Sequence, residues 1–226
     1  MGSESAKSRY SDDETRSTLL YKLINPIKKT GIANMRTNDI AKHMDLSKAT
    51  LYKYFESKDE IIKNFVHLFI KYYVEMDTTL VVSKVDYQSR FLVVFQKMLM
   101  LANFCSETFM QDLRMLYPNL WEEMEGELTK RNESLCSFYQ KGMDEGIFIC
   151  TNPKLIILQD EAFFSKLVDP LVLFSRNMTI RQTVIDYYYL RISQVFTPEF
   201  RLIDNNEETL KMLETMCQKI TSSLHS

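Results

Sequence analysis

The chain has 226 residues, 45% hydrophobic and 26% charged, which is enough for a sizeable core in one large domain or two small ones. Five glycines and five prolines are too few for the many tight turns of a strand-rich fold, so long helices joined by few loops are expected. A formal net charge of −2 argues against a general nucleic-acid binder, but the charge is unevenly spread. Residues 16–71 hold eleven Lys/Arg against five Asp/Glu, a local +6, so the remainder carries −8. This asymmetry points to a basic module that meets a polyanion, joined to an acidic module with another task.

Apolar residues first fall at helical spacing at Leu19, Leu20, Leu23, Ile24 and Ile27, after a polar stretch over 1–12 that reads as a loose arm. Lys28, Lys29, Thr30 and Gly31 close this helix, and Pro26 should kink its last turn by freeing the carbonyl of Lys22. A short helix over 38–44 follows, with Thr37 as N-cap and Ile40, Ala41 and Met44 turned inward. Asp45-Leu46 makes a tight turn, and Ser47 caps a second short helix ending near Phe55. Ser57-Lys58-Asp59-Glu60 is a capping box that launches a long amphipathic helix with Ile61, Phe65, Leu68, Phe69, Tyr72 and Met76 on one face. Further helices are expected near 86–103, 106–117, 120–142, 153–176, 179–196 and 206–224. Asn119 with Glu122, Thr179 with Gln182, and Asn152-Pro153 mark starts, while Gly142 and Gly146 mark an end. The expected fold class is all-α, with about nine or ten helices.

Two short helices separated by a tight turn, with a third before them, form the helix-turn-helix layout, in which one helix braces against DNA and the next enters the major groove. On the helix over 47–55, Leu51 and Phe55 lie one turn apart and must face the core. Ala49 and Lys53 then point away, Thr50 and Tyr52 flank them, and Lys48 stands at the exposed end. That outward set combines a small residue that permits close approach, hydroxyls suited to phosphate, and two cations.

The strings Thr30-Gly31, Thr37-Asn38-Asp39-Ile40-Ala41-Lys42 and the run from Leu46 through Ser47-Lys48-Ala49-Thr50-Leu51-Tyr52-Lys53-Tyr54-Phe55 to Glu60 resemble the DNA-binding domain of the TetR family. The resemblance implies a three-helix DNA-binding domain over 13–75 and a larger helical ligand-binding and dimerisation domain over 76–226. It implies contacts to phosphate, and at times to a base, from Thr37 and Asn38. Base reading falls to Lys48, Ala49 and Lys53, and phosphate clamping to Thr50, Tyr52, Tyr54 and Lys58. Met44-Asp45 departs from the family's usual Ala-Gly at the turn, although Asp tolerates the left-handed conformation. Pro26 departs from its usual aliphatic residue.

Beyond Met76 the resemblance fades and physical inference remains. The segment is rich in Met and aromatic residues, among them Met98, Phe104, Met110, Trp121, Tyr139, Phe163 and Phe164, which supply core first and a helical-bundle pocket second. A mostly apolar cavity is expected near Phe104, Met110, Trp121 and Phe163, with Asp160 or Glu161 adding preference for a cation if either points inward. Otherwise Asp160-Glu161 face solvent or a dimer partner, and Pro170 bends its helix, freeing the carbonyl of Lys166. Ile156, Ile157, Leu171, Phe174, Ile185, Tyr188 and Ile192 are candidates for a two-fold dimer interface.

The expected function is a homodimeric, sequence-specific transcriptional regulator that represses at an operator on double-stranded DNA and is released by a small hydrophobic effector. The alternative is a dimer of the same type whose carboxy-terminal domain binds a protein partner. With three histidines, His43, His67 and His225, no metal-ligand spacing, no phosphate-binding glycine loop and no nucleophile motif, neither an enzyme nor a cofactor is expected. Cys105, Cys136, Cys150 and Cys217 are scattered, so they read as reduced thiols. The absence of a leader sequence and of any apolar run near the roughly 18 residues of a membrane span points to the cytoplasm.

Overall fold

A computed structural model describes residues 13–81, 87–201 and 207–225, with side chains at 13–71, 87–169, 171–201 and 207–221. The arm expected over 1–12 and the side chains of Tyr72 and Met76 lie outside the described residues. The helices, in order, are α1 (Asp13–Tyr21), α2 (Ile24–Thr30), α3 (Thr37–His43), α4 (Lys48–Tyr54), α5 (Lys58–Val81), α6 (Tyr87–Phe104) and α7 (Glu107–Leu116). They continue with α8 (Pro118–Asp144), α9 (Pro153–Leu167), α10 (Pro170–Phe174), α11 (Ile180–Val195), a 3-10 turn at Pro198–Phe200, and α12 (Glu207–His225). The fold is all-α, and among the described residues the sole β-type pairing is one isolated antiparallel bridge between Phe148 and Phe196.

Both proline positions act more sharply than a bend. The helix expected to kink in its last turn at Pro26 is interrupted upstream instead, at Lys22-Leu23, where the amides of both residues bond three residues back, to Leu19 and Leu20. A new helix starts at Ile24, so Pro26 falls in a first turn, where its missing N–H has no intrahelical partner to lose. Pro170 likewise ends α9 and starts α10 as its first residue, with the Asp169 carboxylate capping by accepting the Leu171 amide at 3.0 Å. The Lys166 carbonyl, expected to be freed, instead accepts the Asp169 amide at 3.2 Å.

Asn152 and Thr179 cap α9 and α11 as their sequences indicate, accepting the amides of Lys154 and Gln182. Asn119 does not cap α8, because Pro118 already occupies the first helical position. Gly142 lies inside α8 rather than at its end, and a Cβ there would overlap the Phe148 ring. The chain turns out at Gly146, whose φ of +73° is left-handed, and the Ile147 amide reaches back to the Gly142 carbonyl at 2.9 Å.

Two compact units result: residues up to 73 with 104–127, and 74–103 with 128 onward. In the first, Leu23, Ile27, Ile32, Ile40, Leu51, Phe55, Ile62, Phe65 and Phe109 are buried, and the edge-to-face rings of Phe65 and Phe109 bind α5 to α7. The second is built on an aromatic core of Phe91, Phe95, Phe138, Tyr139, Phe148, Phe164, Tyr187, Tyr188 and Phe196. The Met and aromatic residues of this half therefore serve mainly as packing. Inside this core Asp160 of α9 meets Arg191 of α11, with Nε at 2.8 Å and Nη2 at 3.2 Å, and accepts the Tyr187 hydroxyl at 2.8 Å. Asp160 thus points inward, one of the three surroundings its sequence suggests, but onto Arg191 and Tyr187 rather than to solvent or a second chain.

Candidate nucleic-acid interface

The geometry of the basic module follows from where its apolar residues go. In α3, Ile40 and Ala41 are buried, and Met44 after it is 1% exposed. Asp45 takes φ +57°, as its replacement of glycine at this turn requires. The Leu46 amide reaches the Ala41 carbonyl at 2.8 Å and the Asp45 amide that of Lys42 at 3.1 Å, the paired bonds that end a helix on a left-handed residue. Lys22 secures the turn by donating to the Asp45 carboxylate at 2.8 Å, and this contact holds the Asp45 carboxyl below its usual range.

Ser47 caps α4, its Oγ accepting the Thr50 amide at 3.0 Å. Leu51 is fully buried and Phe55 nearly so, with the Arg16 guanidinium 4.9 Å from the centre of the Phe55 ring. Burying that edge leaves Ala49 and Lys53 exposed on the opposite side, Tyr52 exposed beside them and Lys48 exposed at the first residue of the helix, with Thr50 and Tyr54 half-buried. The expected outward set is therefore assembled on one short helix.

Helix α3 departs from expectation at its start. Arg36, not Thr37, is the N-cap, and its amide donates to the Asp39 carboxylate at 3.2 Å. Thr37 is then the first helical residue, half-buried, and Asn38 the second, exposed. The first turn of α5 also differs from a simple capping box. Ser57 accepts the Glu60 amide at 3.1 Å, but the Glu60 carboxylate turns to the Glu56 amide and to Arg16. Burial raises its pKa, but these bonds outweigh that and hold the carboxyl below its ordinary value. Lys58, taken as a phosphate ligand, is half-buried and donates to the Ile32 carbonyl at 3.1 Å.

The expected effector residues divide between the two units. Phe104, Met110 and Trp121 belong to the first unit, where Trp121 lies under the Arg114 guanidinium; Asp160 and Phe163 belong to the second. Phe163 stacks on Tyr187 with ring centres 3.6 Å apart. A cavity of about 600 Å³ does open between α8 and α9, lined by Asn132, Cys136, Lys154, Ile157, Leu158 and Glu161 among others. Of the effector residues expected from the sequence, only Glu161 reaches it. Sequence reading missed the rest because residues one turn apart on two consecutive helices have the spacing of any helix face, which does not mark that face as a groove. Among the described residues no group of three His, Cys, Asp or Glu side chains could hold a metal ion. No described helix is long and apolar enough to cross a membrane.

The phenol of half-buried Tyr54 gives a first test. Tyr54→Phe should leave the melting temperature within about 2 °C while weakening DNA binding by about 0.5–1.5 kcal/mol, the worth of one hydrogen bond. Equal affinities for the two proteins would remove Tyr54 from the interface.

Residues 26–64 match the family profile of bacterial regulatory proteins of the tetR family. No curated protein sequence matches the chain. Among solved structures, it is similar to the ketosteroid transcriptional regulator KstR2 of Mycobacterium tuberculosis, with 16% identity, a TM-score of 0.60 and coverage of 83% of this chain and 97% of that one. It is also similar to a Saccharomonospora viridis protein in complex with choline (15% identity, TM-score 0.58, 82% and 100% covered). A third similar structure is the reduced form of Escherichia coli NemR (16% identity, TM-score 0.55, 81% and 98% covered). Residues 26–64 thus carry the helix-turn-helix profile of bacterial tetR-family regulators, and the chain shares its all-α fold with these solved structures over most of its length.

Proposed function

We propose that the protein is a homodimeric repressor that reads an operator through α4 and leaves it when a small molecule binds the second unit. The observation that carries this is the separation of roles on α4: Leu51 and Phe55 are spent on the core, while Lys48, Ala49, Tyr52 and Lys53 are exposed together. Residues 13–75 would be the DNA-binding domain, in one compact unit with 104–127, and the remainder of 76–226 the effector and dimerisation domain. Two copies of α4 one DNA turn apart, roughly 34–36 Å, would reach successive major grooves.

The dimer face differs from its sequence-based outline. Ile156, Ile157, Tyr188 and Ile192 are consumed by the unit's own core and Ile185 is half-buried. Leu171 and Phe174, both among the expected residues, remain exposed on α10, and Leu155 and Leu190 on α9 and α11 supply further apolar surface. The effector site is assigned to the cavity between α8 and α9, whose volume suits a small ligand. Ile157 and Leu158 would hold an apolar body, and Glu161 would favour a cationic end.

The test combines light scattering at low micromolar concentration with calorimetric screening of apolar and cationic compounds. A dimer is expected, together with a compound that binds and lowers operator affinity in the same concentration range, since linkage makes the two couplings equal. A purely monomeric protein contradicts the assembly. Compounds that bind without changing DNA affinity would favour a protein partner for the second unit.

A further inference from the structure

The chain between α2 and α3 must deliver Thr37 and Asn38 to the DNA, yet it contains no regular structure of its own. Gly31 turns it with φ +73°, Ile32 and Met35 anchor it in the core, and Ala33 and Asn34 are exposed. Lys58, the first residue of α5, donates from Nζ to the Ile32 carbonyl at 3.1 Å. Asp112 of α7 accepts the Ala33 amide on Oδ2 at 2.9 Å. These two bonds fall on the same peptide group, because the Ile32 carbonyl and the Ala33 N–H belong to one planar unit. A cation holds its negative end and an anion its positive end.

Both bonds are charge-assisted, the stronger class of hydrogen bond, and together they fix the plane of that peptide. The Ile32 carbonyl also accepts the Met35 amide at 3.2 Å, so the held peptide closes the turn that leads to Arg36, the cap of α3. Gly31 is part of the device: a Cβ there would overlap the Asp112 carboxylate and approach the Thr108 methyl. Next in sequence to Lys58, Asp59 accepts the Tyr117 hydroxyl at 2.9 Å and ties the first turn of α5 to the end of α7. Burial, and then this bond, push the Tyr117 phenol up to about 12.

We infer that Lys58 and Asp112 are positioning residues that clamp the Ile32–Ala33 peptide and thereby set α3 against α4 for DNA reading, and that Lys58 is not a phosphate ligand. This rests on the DNA-reading role proposed above. It assigns to DNA recognition an acidic residue that could never touch DNA favourably. It also reverses the part expected of Lys58, whose ammonium is directed to a backbone carbonyl of its own chain.

The experiment selects a duplex from a random-sequence pool with the wild-type protein. Affinity for it, and for unselected duplex, is then measured across a salt series for Lys58→Met, Asp112→Ala and Asp112→Asn, with melting curves for each. Lys58→Met and Asp112→Ala should each weaken binding to the selected duplex about tenfold, leaving unselected duplex nearly unchanged. Asp112→Asn, which keeps an acceptor for the Ala33 amide, should recover most of the loss and serves as the folded control. The pair Lys58→Met/Asp112→Ala should cost less than the two singles added together, since both grip one peptide. The decisive readout is the slope of log affinity against log salt, which should match wild type in all variants. A slope reduced by about 0.9 in Lys58→Met would show a neutralised phosphate and overturn the inference. So would wild-type affinity in Asp112→Ala. Failure of the wild type to enrich any duplex would instead overturn the DNA-reading role, and the inference with it.

Discussion

Lys48→Ala/Lys53→Ala should abolish operator recognition while the protein melts as wild type does. Both side chains are exposed, Lys53 on the side of α4 away from Leu51 and Phe55 and Lys48 at the first residue of the helix, so their removal opens no cavity. A lysine that reads a guanine edge contributes about 1–3 kcal/mol of discrimination, so the pair together should lose about 2–6 kcal/mol on the operator if their effects add. The form of the loss separates two roles. Removing a lysine that reads a base should lower operator affinity and leave scrambled duplex unaffected. Removing one that neutralises a phosphate should weaken both alike and reduce the salt slope by about 0.9 for each lysine. Gel-shift titrations of single and double variants on both duplexes resolve this, and a double variant with unchanged operator affinity would remove α4 as the reading helix.

Asp160→Ala should cost about 3–5 kcal/mol of stability, because it strands the Arg191 guanidinium inside the core. The side chains of Arg191 and Asp160 are only 2% and 4% exposed, so water cannot replace the missing partner. Arg191 would retain Gln159, Gln194 and the Ile156 carbonyl, none of which carries a compensating charge. Burial holds the Asp160 carboxyl above its ordinary value of 3.8, outweighing both Arg191 and the Tyr187 hydroxyl. The folded chain therefore binds this proton more tightly than the unfolded one. The stabilisation from this group is complete below the unfolded value and is lost as pH rises through the higher folded value. Asp160→Asn should flatten that component of the pH dependence and cost less than alanine. Urea unfolding at several pH values checks both, and an Asp160→Ala midpoint equal to that of wild type would show the pair to be without structural weight.

Much of the basic module is legible in the sequence because its determinants are local. Leu51 and Phe55 one turn apart dictate which side of α4 is buried, and so which residues are exposed. Ser47 and Asp45 announce a cap and a left-handed turn through their own side-chain chemistry. The same holds for Asn152-Pro153 and Thr179. Where the structure departs from expectation, a long-range partner decides the outcome. Lys58 looks like a DNA ligand until the Ile32 carbonyl comes within its reach; Thr37, displaced as the cap by the local bond of the Arg36 amide to Asp39, is the exception. Asp160, acidic within an apolar run, cannot disclose that Arg191, thirty-one residues later, meets it in the core. Ile156 and Tyr188 could equally serve a core or a second chain, since helical periodicity marks an apolar stripe without naming what covers it. The sequence by itself thus determined most of the helices, the caps at Ser47, Asn152 and Thr179, and the outward face of α4, because these depend on residues within a turn or two of one another. The tertiary structure decided which polar side chains turn inward, where the cavity opens and which apolar residues stay exposed, because those outcomes depend on elements that meet only when the chain folds.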